Sequence, residues 1–237
     1  MVKHRLPKVV WLLLVVTALS IVARASEYSR QATALGDTLR DKPWRIPAPA
    51  GSKSITARFV DRPPDSRELE LVVSGSRERK TIRAGLGVGA ELLWSPDGKA
   101  FGLTTSNQGA NGIYKAYIYR ISGADIKKIN LTPAVENLFG HPVKCGWPEP
   151  PNVAVVAWGK SSNRILVAAE IVHHSVCDSF GTFKLYELSV PSLKLVRIYD
   201  QITAKKKFAA LLGEELMQAD DECIRNPRRC FVPSNHE

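Results

Sequence analysis

Apolar and polar residues alternate with a period of two along the middle of the chain. Between residues 54 and 200, eleven short runs rich in β-branched and aromatic residues are separated by Gly, Pro, Ser and Asp. Alternate side chains of a strand face opposite sides of a sheet, so this pattern predicts strands. Since no run shows a helical period, we expect an all-β domain with meander connections. The predicted strands are residues 55–60, 68–73, 79–83, 91–94, 100–105, 113–121, 125–129, 153–158, 164–172, 182–190 and 194–199.

Two parts of this stretch repeat each other. Tyr114-Lys-Ala-Tyr-Ile-Tyr-Arg-Ile121 aligns without gaps on Phe183-Lys-Leu-Tyr-Glu-Leu-Ser-Val190, and each copy continues through a turn into another strand. Upstream, each copy has a strand that ends at a tryptophan, Trp94 or Trp158. Residues 69–82 hold a weaker third copy of the last two strands. The repeated unit is therefore predicted to be four antiparallel strands.

The turn after the first of these tryptophans carries a signature. Trp94-Ser-Pro-Asp-Gly-Lys99 resembles the Trp-Ser-Pro-Asp-Gly-Lys turn of TolB-like, WD-type β-propeller repeats. Pro96 presets φ, Asp97 can bond the backbone ahead of it, and Gly98 can take the positive φ of a tight hairpin. The second copy of the turn, residues 159–163, lacks the signature and is predicted to be one residue longer. The resemblance implies propeller-type blades and, because TolB-like repeats commonly serve protein interaction, a binding function.

The length of the strand-rich region limits how such blades can be arranged. Propellers usually have 4–8 blades of roughly 40 residues each. Residues 54–200 hold two units and most of a third, which is too few to close a ring. We therefore expect a truncated or open array of propeller-type, four-stranded antiparallel repeats. The alternative is a β-sandwich in which the repeat is fortuitous.

The two flanks of this β-repeat domain differ from it. Residues 26–53 are predicted to be an N-terminal helix (27–40) and a Pro-rich linker, and residues 201–237 a C-terminal helix (203–217) and a disulfide-stapled tail. The apolar residues near helical spacing are Tyr28, Ala32, Leu35 and Leu39 in the first helix and Phe208, Leu211, Leu212 and Leu216 in the second.

Residues 1–25 have the pattern of a signal peptide. A short basic region precedes an apolar run over residues 9–22, and Ala23-Arg24-Ala25 matches the small-x-small cleavage pattern. We predict cleavage between Ala25 and Ser26. The apolar run is shorter than the roughly 20 residues of a membrane-spanning helix, although an uncleaved signal anchor remains the alternative. The protein is accordingly expected to be exported, to the periplasm or the medium.

The cysteines agree with export. The chain has four, and an even number in an exported protein predicts disulfide bonds. We pair Cys223 with Cys230 and Cys145 with Cys177, because closing a short loop costs little chain entropy. Three connectivities are formally open.

The charge of the chain bears on its partners. The formal net charge is +10, and the first 25 residues contribute four basic residues and no acid. The remaining moderate positive charge suits an anionic surface, either lipid or polysaccharide. Nucleic acid is not expected as a partner, because an exported protein seldom meets it.

Motifs for chemistry are sparse. The sequence has no Gly-x-Ser-x-Gly elbow, no phosphate-binding loop and no Gly-x-Gly-x-x-Gly before a helix, and no cofactor is expected. His173 and His174 share a predicted loop with Cys177 and Asp178, but their spacing matches no common zinc site. The favoured function is a non-catalytic binding or scaffolding module of the envelope, acting through protein–protein interaction. The alternatives are a secreted hydrolase using the His173/His174 loop and a saccharide or small-ligand binder in a cleft between repeats.

Overall fold

The computed structural model describes residues 26–36, 42–62, 66–75, 78–83, 89–106, 113–140, 150–171 and 181–225. Within these ranges the chain is mostly β-structure, with antiparallel sheets of four or five strands and a few short helices. None of the helices in these ranges is long and apolar enough to span a membrane.

The strands form three sheets that follow one another along the chain. In chain order the strands are β1 (Thr33–Leu35), β2 (Trp44–Pro47), β3 (Ser54–Arg62), β4 (Ser66–Gly75), β5 (Glu78–Arg83), β6 (Ala90–Trp94), β7 (Ala100–Ser106), β8 (Tyr114–Ser122), β9 (Asp125–Asn130), β10 (Asn152–Trp158), β11 (Arg164–Glu170), β12 (Phe183–Ser189) and β13 (Leu195–Asp200). The helices are α1 (Thr132–Phe139), α2 (Gln201–Phe208), α3 (Glu214–Gln218) and α4 (Asp221–Arg225). The first sheet has the order β2-β3-β4-β5, the second β1-β6-β7-β8-β9 and the third β10-β11-β12-β13.

The period-two pattern located the strands well. All eleven predicted strands are present, with ends that differ from the prediction by at most two residues. The repeated segments lie in β8 and β12, and each is the third of four consecutive strands in its sheet. In the described residues there are three sheets, where the sandwich alternative expects two, and they do not close into a ring.

The sheets pack face to face in layers. One apolar cluster joins the first and second sheets, with Ile55 and Leu71 on one side and Leu92 and Phe101 on the other. A second cluster joins the second and third sheets, and a third cluster packs the third sheet against the C-terminal helices. The second sheet is therefore covered on both faces, which explains why every residue of β6 and β7 is buried.

The two hairpin turns of the repeat have the same geometry. The Ser95 N–H donates to the Ala100 carbonyl in the first turn, and the Gly159 N–H donates to the Arg164 carbonyl in the second, both at 2.8 Å. Gly98 and Ser162 hold the same place in the two turns, with φ of 64° and 58°. The prediction of an extra residue in the second turn is therefore wrong, because residues 95–99 and 159–163 are equally long.

The predicted N-terminal helix is wrong in the part that the structure describes. Residues 26–36 contain bends, a turn at residues 30–31 and the strand β1, which pairs with β6. Their apolar residues serve three different clusters: Tyr28 packs with the third sheet and helices, Ala32 between the second and third sheets, and Leu35 between the first and second. The apparent helical spacing thus comes from a non-helical segment whose apolar residues reach three separate clusters.

The predicted C-terminal helix is interrupted. Helix α2 ends at Phe208, and Leu212 forms an isolated antiparallel bridge with Ser29 before α3 begins. The apolar face was nevertheless predicted correctly, because Leu212 and Leu216 are buried and Phe208 and Leu211 pack in the same cluster.

Candidate functional site

Most residues singled out from the sequence lie outside the described ranges. These are Ala25, Cys145, His173, His174, Cys177, Asp178 and Cys230. The backbone of Cys223 belongs to α4, whereas Ser26 is described in full. The disulfide pairs and the His173/His174 loop therefore stay predictions. Within the described ranges no group of His, Cys, Asp and Glu is placed to hold a metal ion.

The outer strand of the third sheet presents large apolar side chains to solvent. Leu195, Val196 and Ile198 on β13 are 41%, 42% and 46% exposed. Ile202 follows them on α2 and is also exposed. One edge of β13 pairs with β12, and no strand within the described ranges pairs with its other edge. This strand therefore combines an apolar surface with a backbone edge able to bind a further strand.

Positive charge lies beside these apolar residues. Lys194 and Arg197 flank them in the sequence and are exposed, as are Lys206 and Lys207 on the helix that follows. The outer face of β13 and α2 is thus apolar along the strand and basic around it. An extended segment carrying acidic residues would match both properties.

A polar cleft lies between the second and third sheets at their turn ends. Its volume is about 570 Å³. One wall carries charged side chains of the second sheet, among them Lys99 and Arg120, and the other carries Ser161 and Asn163 of the turn in the third sheet. The walls are joined by a hydrogen bond from the Asp97 N–H to the hydroxyl of Ser162, at 3.2 Å. This volume is within the usual range for small-molecule sites.

A buried carboxylate lies where the N-terminal segment meets the second sheet. Glu91 on β6 is 5% exposed, and its Oε1 accepts the N–H of Tyr28 at 3.0 Å. The Oε2 atom has no hydrogen-bond partner among the described residues. Burial raises the pKa of Glu91 to about 7, and the nearby Ser26 hydroxyl and Glu27 N–H oppose this rise in part.

A second buried carboxylate lies on the third sheet. Glu170 accepts the Tyr28 hydroxyl at 2.9 Å and the side-chain N–H of Asn152 at 3.4 Å. Burial raises the pKa of Glu170 to about 8, and the negative charge of Glu215 adds to the shift. Tyr28 thus links both carboxylates, through its backbone to Glu91 and through its side chain to Glu170.

A small pocket of about 230 Å³ lies beside Glu91, lined also by Glu27 and Glu214. None of these acids was predicted from the sequence to belong to a site. A signal for Glu91 was present, since it is the only charged residue of the apolar run Ala90-Glu-Leu-Leu-Trp94. In a sheet covered on both faces, such a residue has to be buried on one side or the other.

Comparison of the chain with protein-family models, with curated proteins and with solved structures finds no match.

Proposed function

We propose that the protein is an exported, non-catalytic interaction module that binds an extended segment of another envelope or secreted protein along β13. The observation that carries the proposal is the run of exposed apolar side chains, Leu195, Val196 and Ile198, on a strand with one unpaired edge in the described part of the chain. The TolB-like resemblance of the Trp94–Lys99 turn, which implies protein interaction, supports the proposal.

The expected occupant is an extended segment in which apolar and acidic residues alternate. Adding a strand to a sheet edge gives affinity through main-chain hydrogen bonds and specificity through alternate side chains. Apolar residues of the segment would cover Val196 and Ile198, and acidic residues would lie near Lys194 and Arg197. A second copy of this chain fits less well, because pairing two β13 strands would bring the basic residues of both copies close together.

Affinity capture of the processed chain from an envelope extract tests this proposal. Tagged residues 26–237 serve as bait, and the wash contains about 0.5 M salt, which screens attraction between exposed charges to a few ångströms. We expect one stoichiometric protein to survive the wash and to be retained about tenfold less by Ile198→Lys and by Val196→Lys. Leu138→Lys on α1 is the matched control, since it places the same charge at another exposed apolar residue, away from β13.

Two results would contradict the proposal. Equal retention by the β13 variants and Leu138→Lys would show that the partner binds elsewhere. Complete loss of binding at 0.5 M salt, with binding to anionic lipid vesicles or polysaccharide at low salt, would instead indicate electrostatic attachment to an anionic surface.

The cleft between the second and third sheets favours a second candidate, a saccharide or small-ligand site. Its hydroxyl, amide and charged groups offer both hydrogen-bond donors and acceptors to a polar ligand. Titration with oligomers of N-acetylglucosamine, followed by nuclear magnetic resonance, tests it. We expect shifts of the Lys99, Arg120 and Asn163 amides that saturate, and about tenfold weaker binding in Arg120→Ser. Shifts that neither saturate nor depend on Arg120 would remove this candidate.

A further inference from the structure

Position 26 is fixed inside the fold. Ser26 is 9% exposed, and its carbonyl accepts the N–H of Glu214 at 3.1 Å. The next two residues are held in the same way, because the carbonyls of Glu27 and Tyr28 accept the N–H groups of Glu215 and Gly213, both at 2.9 Å. The place where cleavage is predicted therefore adjoins a residue that packs against the C-terminal helices.

Ser26 also lies against the Glu91 carboxylate. Tyr28, two residues further along, donates its N–H to Glu91 Oε1 at 3.0 Å, and both the Ser26 hydroxyl oxygen and Glu91 Oε2 are buried without a hydrogen-bond partner among the described residues. The Ser26 hydroxyl and the Glu27 N–H also lower the pKa of Glu91 in part. Among the described residues no Lys or Arg forms an ion pair with Glu91. A buried carboxylate without a cation is costly to ionise.

The surroundings of Glu91 are acidic on every side. The N-terminal segment brings Glu27 and Tyr28, and Tyr28 is in turn bonded to Glu170 on β11. The titratable groups that face this region are Glu27, Tyr28, Glu91, Tyr114, Glu170, Glu214 and Glu215. The basic residue of the segment, Arg30, instead directs its Nε to the Leu212 carbonyl, at 2.9 Å. Since no described Lys or Arg pairs with Glu91, a cation beside this carboxylate would be favoured.

We propose that the α-ammonium group of Ser26, formed when the bond between Ala25 and Ser26 is hydrolysed, is the cation that pairs with Glu91. The hydrolysis, which a signal peptidase would catalyse, consumes one water and leaves a carboxylate on Ala25 and an ammonium on Ser26. The nitrogen and hydroxyl oxygen of a serine are three bonds apart, hence within about 4 Å. The new charge therefore forms next to the carboxylate that the hydroxyl already adjoins.

This pairing links processing to stability, and it rests on the cleavage that belongs to the proposed export. Before cleavage, the nitrogen of residue 26 is a neutral amide, and no described Lys or Arg pairs with Glu91. After cleavage, the attraction raises the pKa of the α-amine above its ordinary value of about 7.7–8.0. A raised amine pKa gives stability that is complete below that ordinary value and is lost as pH rises through the folded value.

The test begins with the full chain, expressed with its own leader in a bacterial host. N-terminal sequencing of the exported product shows whether residue 26 comes first. The native protein is then acylated at a series of pH values, and the extent of acylation of its N-terminal peptide gives the pKa of the α-amine. We expect a pKa of about 9 or higher, which Glu91→Gln returns to about 8, whereas the control Glu136→Gln on α1 leaves it raised.

A second measurement separates charge pairing from simple crowding at residue 26. The processed chain is compared with the same chain carrying one additional alanine before Ser26, and both are prepared with and without the substitution Glu91→Gln. At pH 7 the extension should raise the unfolding equilibrium constant about tenfold with Glu91 present and less than about threefold with Glu91→Gln. Comparison of these four chains isolates the contribution of the pair between the α-ammonium and Glu91, because steric effects of the added alanine occur with and without Glu91→Gln.

The outcomes distinguish this inference from the proposal on which it rests. A product that begins at Ser26 but has an ordinary α-amine pKa, or an extension that costs the same in both backgrounds, overturns the pairing and leaves export intact. An exported product that begins elsewhere overturns the cleavage and the pairing together. Loss of β13-dependent capture affects neither result.

Discussion

Gly213→Ala tests how strongly the N-terminal segment is held. A Cβ at this position would lie 2.3 Å from the carbonyl oxygen of Glu27 and 2.6 Å from that of Ser26, which are backbone atoms that cannot simply rotate away. The backbone of Gly213 itself suits alanine, because its φ is −70°. The substitution should therefore act by pushing residues 26–28 off the start of α3.

The magnitude follows from the bonds that this displacement breaks. Three backbone hydrogen bonds join residues 26–28 to residues 213–215, at 2.9–3.1 Å. At about 1 kcal/mol net for each bond, their loss lowers the free energy of unfolding by about 3 kcal/mol. Equilibrium unfolding in urea at pH 7 measures this loss, and hydrogen exchange should show faster exchange at the amides of residues 213–215.

Gly75→Ala provides the matched control. Its Cβ would also make a close contact, 2.9 Å, but with Cγ of the Lys53 side chain, which can move. We expect this variant to lose no more than about 0.5 kcal/mol. If the Gly213→Ala chain is as stable as the Gly75→Ala chain, residues 26–28 contribute little to the stability of the fold and the expected loss is wrong.

Three further substitutions test other parts of the structure. Gly98→Ala should cost at least about 2 kcal/mol in urea unfolding, because φ is 64° and the new Cβ would lie 2.4 Å from the Ala50 carbonyl; a neutral result would contradict the turn geometry. Asn152→Ala should cost about 1–3 kcal/mol, because it removes the partner of the Tyr114 N–H at 3.0 Å; unchanged stability would show that water replaces it. Burial raises the pKa of Glu170 from its ordinary 4.5 to about 8, so the folded chain keeps this proton longer than the unfolded chain and stability falls between these pH values, by up to about 1.4 kcal/mol per pH unit. Glu170→Gln should flatten that fall, and equal pH slopes for variant and parent would show that folding does not raise the pKa of Glu170.

The local sequence pattern was sufficient to predict the strands, but it was insufficient to predict the segments that cross between packed layers. The eleven predicted strands were found because period-two alternation and turn residues are encoded within each run. The spacing of Tyr28, Ala32 and Leu35 has its origin in three separate clusters, which no local window can represent. The break between α2 and α3 did have a local signal, since Gly213, the N-cap of α3, lies inside the predicted helix.

The surroundings of Glu91 were likewise only partly predictable from the sequence. That Glu91 is buried could be anticipated from its place in an apolar strand. That Ser26 lies beside it could not, because the contact joins distant parts of the sequence and depends on α3, which is later still. The exposure of β13 could not be predicted from the sequence either, because residues 195–200 have the composition of any half-buried strand.

The docking of residues 26–30 on residues 211–215 also fixes an order of events during synthesis. A chain of stacked repeats can fold by addition, each sheet packing on the one made before it. Residues 26–30 cannot join in that way, because most of the chain must be made before their backbone partners exist. Residues 26–30 are therefore among the last to be placed, and the fold is closed by their docking on residues 211–215 rather than by its final sheet.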